Sequence, residues 1–284
     1  MTMPPASAGE PASGESPPKG RNLPIAIATG LGLAGMIFGT LFTSRVAWET
    51  VVVTVVTYAL YEFYGAVRAH GYRPATWLGL AAAVAMMVGA AWQGPRAVTF
   101  VLTLFIMLTF VWYLADPQRR DVLGNVAVSV FGLVYTGVMG AHVILMRELP
   151  HGPAVTVAFI GLVAFYDIGA FAVGSTMGKR KIAPTISPGK TVEGAAGATL
   201  LVLILGASIG PFLKPWTLVS GLALAAATAI AAPLGDLAES VMKRDLGVKD
   251  FGQILPGHGG ILDRIDALLL TAPVAYWVAR WLTL

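Results

Sequence analysis

Apolar residues recur along this chain in blocks, separated by short polar punctuation, from Leu23 to the C-terminus. A helix needs roughly 20 mostly apolar residues to cross a hydrocarbon core of about 30 Å. Windows of that length place candidate spans near residues 23–42, 46–66, 75–92, 97–115, 122–146, 153–178, 194–212, 216–235 and 261–284. The pattern thus predicts about nine transmembrane helices, the first two joined by a very short link around Arg45. Backbone groups in lipid must be satisfied within their own segment, and the dyad alternation of barrel strands is absent, so the spans are helices. The expected fold class is an all-α polytopic integral membrane protein.

Residues 1–22 break the pattern, with Pro4, Pro5, Pro11, Pro17 and Pro18 set among Ser, Gly, Ala and Glu. So little apolar surface cannot offset the entropy of ordering, and a disordered tail is expected. It does not resemble a signal peptide, because its cations, Lys19 and Arg21, come late and the apolar run that follows is span-length. The expected organisation is this tail, an N-terminal set of about five helices over 23–150, and a catalytic C-terminal membrane region over 151–284.

Composition agrees with the pattern. The chain has 284 residues, 56% apolar and only 12% charged, with a mean hydropathy of +0.73. A soluble domain averages about 25% charged residues, so a soluble enzyme is excluded. So is a soluble head on a single anchor. There is no cysteine, hence any metal must sit on oxygen or imidazole ligands. Counted across nine spans from a cytoplasmic N-terminus, only Arg45, Arg96, Arg147, Lys214 and Arg280 of the 19 Lys and Arg fall on the far side. That bias predicts a cytoplasmic N-terminus and a basic cytoplasmic face. The net charge of +4 then suits anionic lipid headgroups, with no nucleic-acid partner expected.

The scarce charges locate the chemistry. In the first half, Glu49, Glu62, Asp116 and Asp121 lie at or near span ends, where solvation is the default, although Glu62 stands apart within Tyr61-Glu62-Phe63-Tyr64. Asp167 falls well inside an apolar run, where a carboxylate costs about 2.5–3.5 kcal/mol unless it is paired or faces a polar cavity. The loop at 178–194 carries Lys179, Arg180 and Lys181 and then Ser187-Pro188-Gly189-Lys190-Thr191. There Pro and Gly predict a tight turn that gathers amides, two hydroxyls and a lysine for an anion. A nucleotide-hydrolase P-loop is not supported, since its first glycine is missing and no strand is expected before it.

The segment 235–266 is richest, holding Asp236, Glu239, Asp245, Asp250, Asp263 and Asp266 of the chain's 15 acidic residues. On a helix, Asp236, Glu239 or Ser240, and Lys243 share one face. Pro256-Gly257-His258-Gly259-Gly260 precedes the last span, where backbone amides and the helix dipole favour an anion. Asp236 and Asp263, on different spans, are placed to clamp a hard cation, and Mg²⁺ suits one or two carboxylates plus phosphate oxygens. Together these residues describe metal-assisted phosphoryl or nucleotidyl transfer at the cytoplasmic membrane face.

Ser240-x-x-Lys243-Arg244-x4-Lys249-Asp250-x5-Pro256-Gly257-His258-Gly259-Gly260-x-x-Asp263-Arg264-x-Asp266 resembles the signature of the phosphatidate cytidylyltransferases, or CDP-diacylglycerol synthases. Gly235-Asp236, Glu239, the Ser187–Gly194 loop and Asp167-x-x-Ala170-Phe171 are similar to that family too. The resemblance covers about residues 165–270. It implies CTP and phosphatidate as substrates, CDP-diacylglycerol and pyrophosphate as products, Mg²⁺ with K⁺ as a possible companion, a homodimer, and a multi-pass protein of the bacterial inner membrane.

On that resemblance Asp236 and Asp263 hold the metal. Lys243, Arg244, Lys249 and Arg264 contact phosphates, while Ser187, Lys190, Thr191, Glu193, Ser240 and Asp167 belong to substrate binding. His258 contacts phosphate or holds its loop, and Asp250, Asp266 and Glu239 orient their neighbours. Two other classes compete. An ion-coupled carrier would spread charge along a path, and a CTP-dependent polyprenol kinase would move a phosphoryl group; the long signature favours cytidylyl transfer.

Overall fold

The computed structural model describes residues 23–115, 117, 120–254 and 259–282, so the predicted tail lies outside the described residues. Its helices are α1 (Leu23–Thr43), α2 (Arg45–Ala69), α3 (Thr76–Gln93), α4 (Pro95–Leu114), α5 (Val122–Gly132) and α6 (Met139–Arg147). They continue with α7 (Gly152–Met177), α8 (Val192–Phe212), α9 (Leu218–Asp245) and α10 (Leu262–Leu282). A π-helical turn, Leu133–Val138, fuses α5 and α6 into one rod, Val122–Arg147. Among the described residues eight helices are long and apolar enough to cross a membrane. The ninth expected span corresponds to α1, of which Ala34–Thr43 is the described apolar stretch.

Helix ends fall where capping and turn residues lie. The link between α1 and α2 is Ser44 alone, whose hydroxyl accepts the Ala47 amide and caps α2. Thr217 and Ser220 form a reciprocal capping box at the start of α9.

Polar contacts sort the helix ends into two sets. At one end, Arg45 pairs with Glu148 at 3.0 Å and donates to the Ala91 carbonyl. At the opposite end of the same helices, the Arg73 amide donates to Asn125 Oδ1, and Asn125 Nδ2 donates to the Arg120 carbonyl. Arg45 and Arg147 therefore lie apart from Arg73 and Arg120, as the alternation of spans requires.

Two expectations are corrected. The run Ser187–Thr191 is a strand, β2, paired antiparallel with β1 (Lys181–Ala183). The tight turn is at 184–186, closed by the Ile186 amide on the Ala183 carbonyl. Pro188 is tolerated in β2 because a two-stranded ribbon has free edges that need no donor. The second correction is that a strand, β1, does precede this run, where none was expected. Helix α9 continues to Asp245, ten residues beyond the apolar window that ends at 235, as the helical face shared by Asp236, Glu239 and Lys243 requires. Charge ends a hydropathy window, but Glu239, Met242, Lys243 and Arg244 are good helix formers and no glycine intervenes until Gly247.

Helices α7, α8, α9 and α10 pack in sequence, each on the next, and α10 also packs against α2, α6 and α7. Helix α9 approaches α10 closely at Gly235. A Cβ there would fall 2.8 Å from the Asp266 carbonyl oxygen and 3.0 Å from Ala267 Cα. Small residues let helix backbones approach in this way in membranes. Here the approach brings the residue after Gly235, Asp236, beside Asp266.

Candidate active site

The close crossing of α9 and α10 carries three carboxylates. Ligand oxygens of Asp236, Glu239 and Asp266 all lie within 4.8 Å of one another. Glu239 and Asp266 are only 2% and 9% exposed, and Glu239 Oε1 is buried with no hydrogen-bond partner among the described residues. Like charges this close repel strongly in a low-dielectric interior unless protons or a cation intervene. An all-oxygen set with one orphaned buried oxygen fits a hard divalent cation.

Lys243 lies one helical turn beyond Glu239. Its Nζ is 2.5 Å from Glu239 Oε2 and 3.1 Å from Asp263 Oδ1, which joins Asp263 to the acidic group. Asp263 also accepts the Phe251 amide at 3.0 Å and the Gly260 amide at 2.9 Å through Oδ2. It is therefore held by both arms of the signature loop. The structure groups Glu239 and Asp266 with Asp236, and Asp263 adjoins this trio through Lys243.

The hairpin reaches the same place. Lys190 Nζ on β2 lies 2.7 Å from Asp236 Oδ2 on α9, and Asp167 on α7 interacts electrostatically with both. Asp167 thus feels the opposite charge of Lys190. Thr191 is buried and caps α8, accepting the Gly194 amide, while Glu193 accepts the Lys179 and Arg180 amides at 2.9 and 3.1 Å. Both side chains bind the hairpin to the helix it precedes. Arg244 donates to the Ile186 carbonyl at the hairpin turn. Ser187 and Ser240 are half-buried on β2 and α9, and Lys249, Asp250 and Arg264 are exposed beside the loop. His258 lies outside the described residues.

Two residues of the first half belong here and were not assigned from the sequence. Glu62 on α2 accepts the Leu262 amide at the start of α10. Tyr135, in the π-helical turn, is 3% exposed, and its hydroxyl has no partner among the described residues. It interacts electrostatically with Asp236, Glu239, Asp263 and Asp266. Phe251, Phe63, Phe131 and Tyr135 form a continuous aromatic ladder, with successive centroids 6.0, 5.7 and 5.9 Å apart. A π-turn in an apolar helix is a recurrent mark of functional sites, but a single sequence carries no periodicity that exposes one.

Cations and carboxylates from α7, β2, α9 and α10 thus meet at one end of the bundle, in an arrangement able to hold a metal ion and phosphates. Similarity to known proteins agrees. The model of the cytidylyltransferase family matches residues 24–282. The phosphatidate cytidylyltransferase of Synechocystis sp. is 31% identical over 283 residues, covering 89% of this chain and 94% of that protein. That of Mycobacterium leprae is 29% identical over 286 residues, covering 92% and 88%. An uncharacterised protein of Escherichia coli, YnbB, is 38% identical over 181 residues, which span 62% of this chain and 60% of YnbB. With a family model matched along nearly its whole length and the signature charges gathered at one site, the chain belongs to the phosphatidate cytidylyltransferase family and is a nucleotidyltransferase.

Proposed function

We propose that this protein transfers the cytidylyl group of CTP to phosphatidate, forming CDP-diacylglycerol and pyrophosphate for phospholipid synthesis. The observation that carries the reading is the convergence of Lys190 and Lys243 with Asp236, Glu239, Asp263 and Asp266 at one end of the bundle, from elements far apart in sequence. An oxygen of the lipid phosphate attacks the α-phosphorus of CTP in line. The new P–O bond forms as the bond to the β-phosphate oxygen breaks, and pyrophosphate leaves with that electron pair. No protein nucleophile is required, because the lipid phosphate is an anion at neutral pH.

Asp236, Glu239 and Asp266, with Asp263 adjoining, are the groups that would hold Mg²⁺, and K⁺ is a candidate second ion. When bound, the divalent ion supplies Lewis-acid neutralisation of phosphate charge. The chain's own groups do the rest by position. Glu239 and Asp263 hold the Lys243 ammonium in place before substrate arrives, so it needs no reorganisation. Lys190 and Asp167 face Asp236, while Arg244, Lys249 and Arg264 line the loop side with cations for the triphosphate or the lipid phosphate. Ser187 and Ser240 supply neutral hydrogen-bonding groups, and His258 contacts phosphate or holds its loop.

The same reading places the N-terminus and the site on the cytoplasmic face of a bacterial inner membrane, from the Lys and Arg bias, with a homodimer as the assembly. The test is turnover of labelled CTP by purified protein in detergent. A labelled CDP-lipid should form with phosphatidate and Mg²⁺, and not with EDTA. Label recovered instead as a phosphorylated isoprenoid, or no product with any lipid acceptor, would overturn the assignment.

A further inference from the structure

Glu62 is an acidic residue in the second half of α2, only 6% exposed, and its hydrogen-bond partner Leu262 lies 200 positions away in sequence. Its Oε2 accepts the Leu262 amide at 2.8 Å, at the first residue of α10. A buried carboxylate is costly unless its lone pairs are met; the free Leu262 amide and the dipole of the helix N-terminus meet those of Oε2, while Oε1 lies against Gly252 with no hydrogen-bond partner among the described residues.

The signature loop is shaped around this carboxylate. A Cβ on Gly252 would overlap Glu62 Oε1, and one on Gly260 would fall 2.7 Å from Oε2 and 2.7 Å from the Gly252 amide nitrogen. The two arms of the loop therefore pass close together, with Glu62 against both. The next residue, Phe63, packs on Phe251 with centroids 6.0 Å apart. Phe251 and Gly260 are also the residues whose amides hold Asp263. The arms are fastened twice, by Asp263 from within the signature and by Glu62 from the N-terminal half.

We propose that Glu62 is a positioning residue for the reaction: it holds residues 252 and 260–262 so that Asp263 meets Lys243. The proposal rests on the cytidylyl-transfer reading for its kinetic consequence only. Misplacing a reacting constellation by about 1 Å costs on the order of a hundredfold in rate, so Glu62 is expected to act on kcat without touching substrate.

Full-length protein in detergent is compared with Glu62→Ala, Glu62→Gln, Gly252→Ala and the double variant Glu62→Ala/Gly252→Ala, by hydrogen exchange and by kinetics. In Glu62→Ala, amides of 251–254 and 259–262 should exchange at least about tenfold faster while α7 and α8 keep their protection. Its kcat should fall about a hundredfold, with the KM for CTP within about threefold. Glu62→Gln keeps one acceptor for Leu262 and should lose no more than about tenfold in kcat.

Gly252→Ala should be damaging alone, yet should cost little on top of Glu62→Ala, because the new methyl enters space the carboxylate has left. Unchanged exchange in the loop, an unchanged kcat in Glu62→Ala, or losses that multiply in the double variant would each overturn the proposal. If Glu62→Ala loses protection throughout, Glu62→Gln and Gly252→Ala carry the same comparison. An unmutated protein that makes no CDP-lipid would overturn the reaction instead, and the exchange data alone would then decide whether Glu62 holds the loop.

Discussion

Lys190 on β2 and Asp236 on α9 form an ion pair of 2.7 Å, although one belongs to a surface hairpin and the other to a helix that crosses the bundle. The pair latches the hairpin onto the acidic group, with Asp167 on α7 beside it. Lys190→Ala removes the positive charge paired with Asp236 and leaves the hairpin tied to α9 at its turn, through Arg244 and the Ile186 carbonyl. Turnover of CTP is expected to fall about 10²–10³-fold, the scale on which preorganised charge contributes. Lys190→Arg should restore part of it. Steady-state assays over a CTP series check both.

Asp263 accepts two loop amides and the Lys243 ammonium. Asp263→Asn keeps the side chain's shape and one acceptor but loses the charge. Activity is expected to drop below about 1% of the original, with folding intact and stability lower by about 1–3 kcal/mol, the penalty for weakening buried hydrogen bonds. Activity and the thermal unfolding midpoint, measured on the same preparation, separate the two effects.

Gly235 sets the spacing of α9 and α10. A methyl group there meets backbone atoms of Asp266 and Ala267, which cannot rotate away. Gly235→Ala should therefore cost about 1–3 kcal/mol in stability, as overpacking does. It should lower turnover further by moving Asp236 from Asp266. Gly206→Ala, at the crossing of α8 with α9, meets the Gly221 carbonyl instead. It is expected to lower stability with a smaller effect on turnover, and paired stability and activity measurements compare the two sites.

Glu239 and Asp266 are buried beside Asp236. Chelation of divalent ions should abolish turnover, and added Mg²⁺ should restore it. Asp266→Asn is expected to raise the Mg²⁺ concentration for half-maximal activity by at least about tenfold, since losing even an outer partner of a metal ligand costs 10–100-fold. A metal titration of each protein by calorimetry provides the check apart from activity.

Much of this was legible in one dimension. Span positions from α2 to α10 follow from the length of apolar runs, because lipid leaves a backbone no partner but its own helix. The residues of the signature are legible too, since charge in a chain with 12% charged residues is conspicuous. The strand at Ser187–Thr191 was not, because its Pro-Gly pair carries a strong turn signal and only pairing with Lys181–Ala183 overrides it. The continuation of α9 past 235 was legible in the helical spacing of Asp236, Glu239 and Lys243, although hydropathy alone ends the span at 235.

The partners of each charge belong to the tertiary structure. Asp236 could be read from the sequence as facing Asp263 across two spans, but the crossing at Gly235 sets Asp266 and Glu239 beside it, and Asp263 turns to Lys243 and the loop amides. Glu62 and Tyr135 reach the site only because α2 and the π-helical turn pack against the signature loop and α10. By itself the sequence determined the membrane architecture, the family signature and the charged inventory, since these depend on composition and spacing along the chain. Only the folded bundle decided which carboxylate meets which cation, because a helix crossing fixes distances between residues that no local pattern relates.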